Sequence, residues 1–241
     1  MDNKLQGIVL QSVRYGDTSL IVKIYTRECG LQSYIIKGAF SRTSKNRVAF
    51  FQALNVIEFV ASGKPQSGVL GYVKDVQMAM LLQSIPSDMN KSAILMYMAE
   101  LLSKSLTGQE RHVELYDFII HSLQWLDLAE DNFANFPLFF TLELSRFLGF
   151  YPKSNDENGP FFDMMEGLFV AQTPIHPYYM EGQTALLFST MLNMNLEKAM
   201  VLRLNVNQRR SLLDGLITFV QLHAPFVKTI QSLEILKSVL G

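Results

Sequence analysis

Hydrophobic and polar residues alternate along the first 80 positions of the chain, a pattern typical of β-strands that bury one face. Turn-forming residues such as Gly16-Asp17 interrupt the alternation. Five stretches keep the pattern and predict strands at about 5–13, 18–26, 31–37, 52–61 and 69–77. Five short strands with the longest gap between the third and the fourth predict a small closed or half-closed barrel, and the OB-fold has this count and this gap. An SH3-like barrel fits the strand count as well.

The period of the pattern changes to about 3.6 residues after Pro86, and Asp88 supplies the chemistry of a helix N-cap. One helix, at about 135–149, is apolar around most of its circumference, which predicts a position at the centre of a bundle. The apolar spacing predicts the other helices at about 89–107, 111–129, 180–193, 195–202 and 206–222, with a last segment from Ala224 to Leu240.

Residues 150–178 interrupt the helical pattern, because they are too polar at first and too rich in proline later to continue a helix. We expect an irregular or hairpin-like insert there. The sequence as a whole predicts an α+β multidomain protein, with a five-stranded OB-fold barrel at 1–80 and a mostly α-helical domain at 81–241 that contains the insert.

Composition limits the class of protein. The chain has 241 residues, of which 49% are hydrophobic, so it can bury a sizeable core. No apolar run approaches the roughly 18 uncharged residues of a membrane span. The first residues do not have the pattern of a signal peptide, so we expect a cytoplasmic protein that does not bind membranes. Cys29 is the single cysteine, which excludes an internal disulfide and a cysteine-based zinc site.

Charge is distributed unevenly along the chain. The first 80 residues hold ten Lys and Arg against five Asp and Glu, a net charge of +5. The remaining residues hold 11 cations against 17 acids, a net charge of −6. A basic N-terminal part joined to an acidic part indicates a polyanion as the partner of the first.

The densest basic stretch begins at Lys37, continues through Arg42 and Lys45, and ends at Arg47, with no acid among its eleven residues. Lys and Arg displace the counterions of a phosphate backbone, while the Gly, Ser and Asn between them favour turns and donate hydrogen bonds. The stretch therefore suits a nucleic acid. An exposed loop that is merely solvated explains the same residues.

The rest of the predicted binding groove lies on strands two and three and on the loops after strands one and four. These elements hold Arg14, Lys23, Tyr34 and Lys64, a mixture of cations and aromatic rings that single strands favour. For any tyrosine of these strands, Tyr34 included, half-buried packing in the sheet is the alternative.

Motifs of catalytic sites are missing from the sequence. The four histidines, His112, His121, His176 and His223, are far apart, and none has the spacing of a metal site. The sequence contains no Walker loop, no G-x-G-x-x-G after a strand and no G-x-S-x-G elbow. We interpret the chain as a binding protein without cofactor or metal. A hydrolase that uses Ser, His and Asp residues of the Phe-rich part is a minor alternative.

A series of short motifs extends across most of the chain. In the N-terminal part these motifs are Gly7-Ile8-Val9-Leu10, Tyr15-Gly16-Asp17, Thr26 with Gly30, and Lys37-Gly38-Ala39. In the helical part they are Ala99-Glu100-Leu101-Leu102, Phe140-Thr141-Leu142-Glu143-Leu144, Leu148-Gly149 with Pro152, and Ser232-Leu233. Taken in this order, the series resembles the RecO family of bacterial recombination mediators, although no single motif is specific.

The resemblance implies an N-terminal OB-fold, a C-terminal helical domain, binding of single- and double-stranded DNA, and annealing of complementary strands. It also implies partnership with RecR and single-strand-binding protein, and a role in RecA loading at the nucleoid. Lys37 and Arg42 carry over as DNA-binding residues because they lie in the matching stretch, whereas Lys45 and Arg47 follow from position alone. The leading hypothesis is a non-enzymatic DNA-binding mediator. The alternative is an adaptor whose barrel binds proteins without direct DNA contact.

The chain departs from the RecO pattern at two places. Many members carry a four-cysteine zinc element after the segment that corresponds to Gly149–Pro152, but no cysteine follows it here. We expect no zinc, and we expect packing by Phe161, Phe162, Leu168 and Phe169 to hold the insert. Members often have arginines before the residue that matches Phe140, where this chain has Leu138-Phe139. A pocket for the acidic, Phe-ended tail of single-strand-binding protein then needs another cation, and Arg146 is the candidate.

Overall fold

The structure is a computed structural model that describes residues 3–41, 47–63, 70–108, 110–154 and 159–240. Three of the predicted DNA-binding residues, Arg42, Lys45 and Lys64, lie outside the described residues. The chain folds as two compact units, residues 1–87 with 99–127 and residues 88–98 with 128–241. The division at residue 80 stays a prediction, because compactness does not show which part folds independently.

Five strands form a closed barrel in the first unit. They are β1 (Asn3–Tyr15), β2 (Ser19–Thr26), β3 (Gly30–Ile36), β4 (Val56–Ser62) and β5 (Gly71–Met80). Their order is β1-β2-β3-β5-β4, and β4 pairs back onto β1. The β3–β5 pair is parallel and the others are antiparallel. The predicted OB-fold is confirmed.

The barrel closes because β1 pairs with two strands, β2 and β4. Its first half pairs with β4 and its second half with β2, and the register shifts between Val9 and Gln11 where the strand bends from one partner to the other. Gly7 lies where both partners are paired, and a Cβ on it would come within 2.4 Å of Ile24 Cγ2. The close approach of these strands therefore requires glycine.

The predicted fourth strand begins later than expected. Residues Arg47–Phe51 form a 3-10 helix, and β4 starts only at Val56. Asn55 Nδ2 donates to the carbonyl oxygens of Ala49 at 2.8 Å and Phe50 at 3.3 Å, which holds this helix to the start of β4. Phe51 is buried in the barrel core, so these apolar residues cover one end of the barrel instead of extending its wall.

Helices lie at the predicted places in the described residues. They are α1 (Met89–Ser105), α2 (Val113–Leu128), α3 (Phe136–Phe147), α4 (Gly182–Leu192), α5 (Leu196–Val201), α6 (Val206–His223) and α7 (Ser232–Val239). Asp88 Oδ1 accepts the N–H groups of Asn90 and Lys91, as the predicted N-cap requires. Most residues of α3 are buried, and α3 packs on α5 and α6, so α3 is central to the second unit. Within the described ranges, no helix has the length and apolarity needed to cross a membrane.

The insert is a small sheet packed on aromatic rings. Its strands, β6 (Phe161–Asp163), β7 (Leu168–Val170) and β8 (Tyr179–Met180), are antiparallel in the order β7-β6-β8. Phe162 is fully buried, and its ring centroid lies 5.1 Å from that of Phe169, 4.6 Å from that of Phe188 and 5.7 Å from that of Phe219. Across the described residues, no three His, Cys, Asp or Glu side chains are grouped so as to hold a metal ion. Of the four residues expected to hold the insert, Phe162 and Phe169 are buried, whereas Phe161 and Leu168 are half-buried. The absence of zinc stays a prediction.

Candidate nucleic-acid interface

The outer wall of the barrel carries an ordered arrangement of side chains. Strand register aligns Val13 on β1, Ile21 on β2, Ile35 on β3 and Tyr72 on β5 in one line across four strands. We call these four residues the outer apolar row. Val13 is 53% exposed and Tyr72 is 44% exposed, and the two isoleucines between them are half-buried. An aligned apolar row on the solvent side of a small barrel is a candidate surface for a ligand.

Lys23 lies on one side of this row. It is exposed on β2, two residues beyond Ile21, and it aligns with Gln11 on β1 and Ser33 on β3. Side chains two residues apart on a strand point to the same face, so Lys23 extends outward beside the row.

Lys37 lies on the opposite side of the row. It directly follows β3, two residues beyond Ile35, and its Nζ is 4.5 Å from the centroid of the Tyr72 ring. Gly38 follows with φ of +67° and opens a turn in which the Ser41 N–H bonds to the Gly38 carbonyl at 3.0 Å. The turn thus holds Lys37 on the outer wall next to an exposed aromatic ring.

Arg14 lies at the end of the barrel, close to the same turn. Its Cζ is 4.9 Å from the centroid of the Phe40 ring, which is 40% exposed. The Phe40 N–H bonds to the Thr18 carbonyl at 3.1 Å, and an Arg14 Nη2 donates to the Asp17 carbonyl at 3.0 Å. Lys37 therefore precedes this turn, and Arg14 contacts Phe40 within it.

Arg47 has a different environment. Its Nη2 donates to the carbonyl oxygens of Val73 and Lys74, both at 3.0 Å, and ties the 3-10 helix to β5. The side chain is half-buried there. In the structure, Arg47 stabilises the contact between the 3-10 helix and β5. Direct contact of Arg47 with DNA stays a prediction.

The expectation that Tyr34 lies in the DNA-binding groove is wrong. It is fully buried inside the barrel, where its ring meets Phe59 edge-on with centroids 5.1 Å apart. Burial raises the pKa of Tyr34, and among the described residues its hydroxyl has no hydrogen-bond partner. Tyr34 is therefore a core residue with no surface to offer a base, and the exposed ring on the neighbouring strand is Tyr72.

The predicted cations of the barrel have no carboxylate partner among the described residues. Ion pairs on the barrel join Lys4 to Glu58 at 2.8 Å and Arg27 to Asp117 at 3.2 Å. Within the described part of the chain, the predicted cations Arg14, Lys23, Lys37 and Arg47 form no such pair. Their charge therefore remains available to a polyanion.

The second unit contains a shallow pocket between the N-terminal end of α3 and the helices α6 and α7. It is lined by Ala134, Pro137, Leu138, Val206, Arg209, Arg210, Leu213, Leu236, Lys237 and Leu240. We call it the α3–α6–α7 pocket. Its wall is mostly aliphatic, and its three cations come from α6 and α7.

The three cations of this pocket differ in their partners. Arg209 donates to Asn135 Oδ1 and to the carbonyl oxygens of Leu204 and Leu240, and burial lowers its pKa. Lys237 pairs with Asp214 and Glu234. Arg210 is exposed, donates to the Lys237 carbonyl at 2.8 Å, and has no carboxylate partner among the described residues. Arg210 is therefore the cation most available to an acidic ligand.

Arg146 lies elsewhere on α3. Its Nε is 3.2 Å from Glu143 Oε2, and its Cζ is 3.7 Å from the centroid of the Tyr151 ring. It does not line the α3–α6–α7 pocket. The sequence signal for this pocket is the pair Arg209-Arg210 in an otherwise periodic helix, and neither residue is among the predicted site residues. The role of Arg146 in partner binding stays a prediction.

Both parts of the chain match one family. Residues 1–81 match the family model described as Recombination protein O N terminal, and residues 86–228 match the one described as Recombination protein O C terminal. The chain is 35% identical over 240 residues to the DNA repair protein RecO of Phocaeicola vulgatus, and 36% identical over 242 residues to that of Flavobacterium psychrophilum. Each comparison covers 99% of both chains. The chain therefore belongs to the recombination protein O (RecO) family.

Proposed function

We propose that this chain is a non-enzymatic mediator of DNA repair and recombination. It binds single- and double-stranded DNA on the barrel, promotes annealing of complementary strands, and helps RecR to load RecA on DNA coated by single-strand-binding protein. The observation that carries the proposal is the set of exposed cations Arg14, Lys23 and Lys37, which have no carboxylate partners in the described residues. The names of the relatives, DNA repair proteins, agree with it. We place its activity in the cytoplasm, at the nucleoid.

The mechanism requires no chemical step. Lys and Arg displace the counterions of the phosphate backbone, and the release of these ions supplies most of the affinity. Annealing requires two strands close together with their mutual repulsion screened. Lys23 and Lys37 lie on opposite sides of the outer apolar row, so positive charge is present on both sides of the row and not along one edge only. Charge on both sides can screen the repulsion between two strands.

The test is a salt titration of binding to a single-stranded 30-mer. We expect K23E and K37E each to weaken binding and to reduce the slope of log K against log salt by about 0.7 or more. The matched control is K198E, which reverses an exposed lysine on α5 in the second unit and should leave the slope unchanged. Wild-type affinity that is weak and independent of salt would instead identify a protein-binding adaptor.

The partner proposal concerns the α3–α6–α7 pocket. The tail of single-strand-binding protein is acidic and ends in an apolar residue, and the pocket combines an aliphatic wall with the unpaired Arg210. The apolar end would pack on Ala134, Val206 and Leu240, the apolar lining residues that keep exposed surface, while a carboxylate binds Arg210. RecR is proposed from family membership, and co-purification of the full chains tests it.

A further inference from the structure

The outer apolar row is unusual for a surface that binds only phosphates. Phosphate contacts need cations and hydrogen-bond donors, and they leave no role for aligned apolar side chains. Val13, Ile21, Ile35 and Tyr72 nevertheless form one line, and the ends of that line are well exposed. The row therefore fits a ligand with an apolar face.

The cations beside the row restrict what that ligand is. Lys23 stands on one side and Lys37 on the other, each two residues from the row along its own strand. Two residues of a strand span roughly 6.6 Å, so both lysines begin close to the row. A ligand that combines flat apolar faces with negative charge at its edges fits this arrangement, and an unpaired stretch of DNA has both features.

Tyr72 provides the aromatic face. Its ring lies under the Lys37 ammonium at 4.5 Å, yet 44% of the residue remains exposed. A base can therefore stack on the ring while Lys37 meets a neighbouring phosphate. Bases in a duplex already cover each other's faces, so this contact is open only to unpaired bases.

We propose, building on the proposed function, that the outer apolar row is a stacking platform for unpaired bases, with Tyr72 as its aromatic anchor and Lys23 and Lys37 as phosphate contacts on either side. The platform makes the barrel favour single strands over duplex. It also presents the bases of a bound strand in an extended order, which suits pairing with a second strand.

The test compares two 30-mers that carry the same phosphates, a normal strand and one made of abasic sites. We expect Y72L to weaken binding of the normal strand on the order of tenfold and to leave the abasic strand and duplex unchanged. Y72W should keep the wild-type affinity that Y72L loses, because tryptophan also provides an aromatic face. The control is Y178L, which removes a tyrosine of similar exposure, 43%, from the second unit and should change nothing.

The outcomes separate this inference from the proposed function. Equal losses for both strands, or no loss with Y72L while the wild type keeps a steep salt slope, would overturn the platform and leave DNA binding intact. In that case the row is free to bind a protein. If the wild-type chain binds neither 30-mer even at low salt, both proposals are wrong. Thermal unfolding of each variant confirms that the substitution has not changed the fold.

Discussion

The Asp127 carboxylate accepts the backbone N–H of Ser84 at 2.8 Å, although the two residues are 43 positions apart. The same carboxylate accepts the N–H groups of Gln83 at 2.9 Å and Ile85 at 3.0 Å. Asp127 lies in the last turn of α2, so one side chain binds the segment that follows β5 to the end of this helix. The contact helps to explain why α2 and the barrel belong to the same compact unit.

This contact predicts a stability that depends on pH. Burial raises the pKa of Asp127, but the hydrogen bonds from Gln83, Ile85 and Ser84 outweigh it and hold the pKa below its ordinary value. A carboxyl with a lowered folded-state pKa stabilises the fold above its unfolded pKa of about 3.9 and loses that contribution as the pH falls through the lowered value. We expect D127N to cost about 0.5–1.5 kcal/mol at pH 7, because solvent screens this partly exposed carboxylate, and progressively less below about pH 4.

Urea unfolding across this pH range measures the effect. The control is E130Q, which neutralises an exposed acid three residues further along. A D127N cost that stays constant down to about pH 3 would show that the carboxylate charge is not what holds Ser84.

The aromatic packing of the insert predicts that the buried ring of Phe162 contributes strongly to its stability. Phe162 is fully buried against Phe169, Phe188 and Phe219. We expect F162A to destabilise the protein by about 3–5 kcal/mol. The neighbouring Phe161 is half-buried, so F161A should cost clearly less. Guanidinium unfolding measures both variants.

A chelator provides the complementary experiment. We expect EDTA to leave the melting temperature of the wild type unchanged, since residues 150–178 contain no cysteine and the rings of the insert pack against one another. A drop in melting temperature that zinc reverses would contradict this. It would also show that ligands from outside the described residues contribute.

The sequence predicts the barrel well because alternation and turn residues are local features. It does not decide which face of a strand points inward. Tyr34 and Ile35 are both apolar neighbours on β3, and only the closure of the barrel shows that Tyr34 is buried while Ile35 aligns with Tyr72. The sequence does not predict the α3–α6–α7 pocket for a related reason. Arg209 bonds to Asn135, which is 74 residues away in the sequence, and local patterns do not reveal such a long-range contact.

The glycine at position 7 offers a prediction about barrel closure. A Cβ there would lie 2.4 Å from Ile24 Cγ2, and Ile24 is a fully buried β-branched residue with little freedom to move. We expect G7A to destabilise the protein by about 1–3 kcal/mol. G108A is the matched control, because the nearest atom to its new Cβ is 4.0 Å away. Equal melting temperatures for the two variants would mean that β1 and β2 can move apart at this point.

The α3–α6–α7 pocket predicts which cation selects an acidic partner. Asn205 and Gln208 form a reciprocal cap, with both hydrogen bonds at 2.9 Å, and this cap fixes the first turn of α6 just before Arg210. Arg210 is thus held at the pocket rim with its charge unpaired in the described residues. We expect R210E to weaken binding of an acidic peptide with a C-terminal phenylalanine by about tenfold or more.

Calorimetry with the full chain measures this, and three variants locate the effect. R203E reverses an exposed arginine between α5 and α6 that does not line the pocket, so it should bind the peptide as the wild type does. V206D should weaken binding, because it places a carboxylate on a partly exposed part of the pocket wall, where it repels the acidic peptide. If R146E weakens binding and R210E does not, the partner binds at the other end of α3, where Arg146 already shares Glu143. In that case the α3–α6–α7 pocket is not the binding site of the acidic peptide.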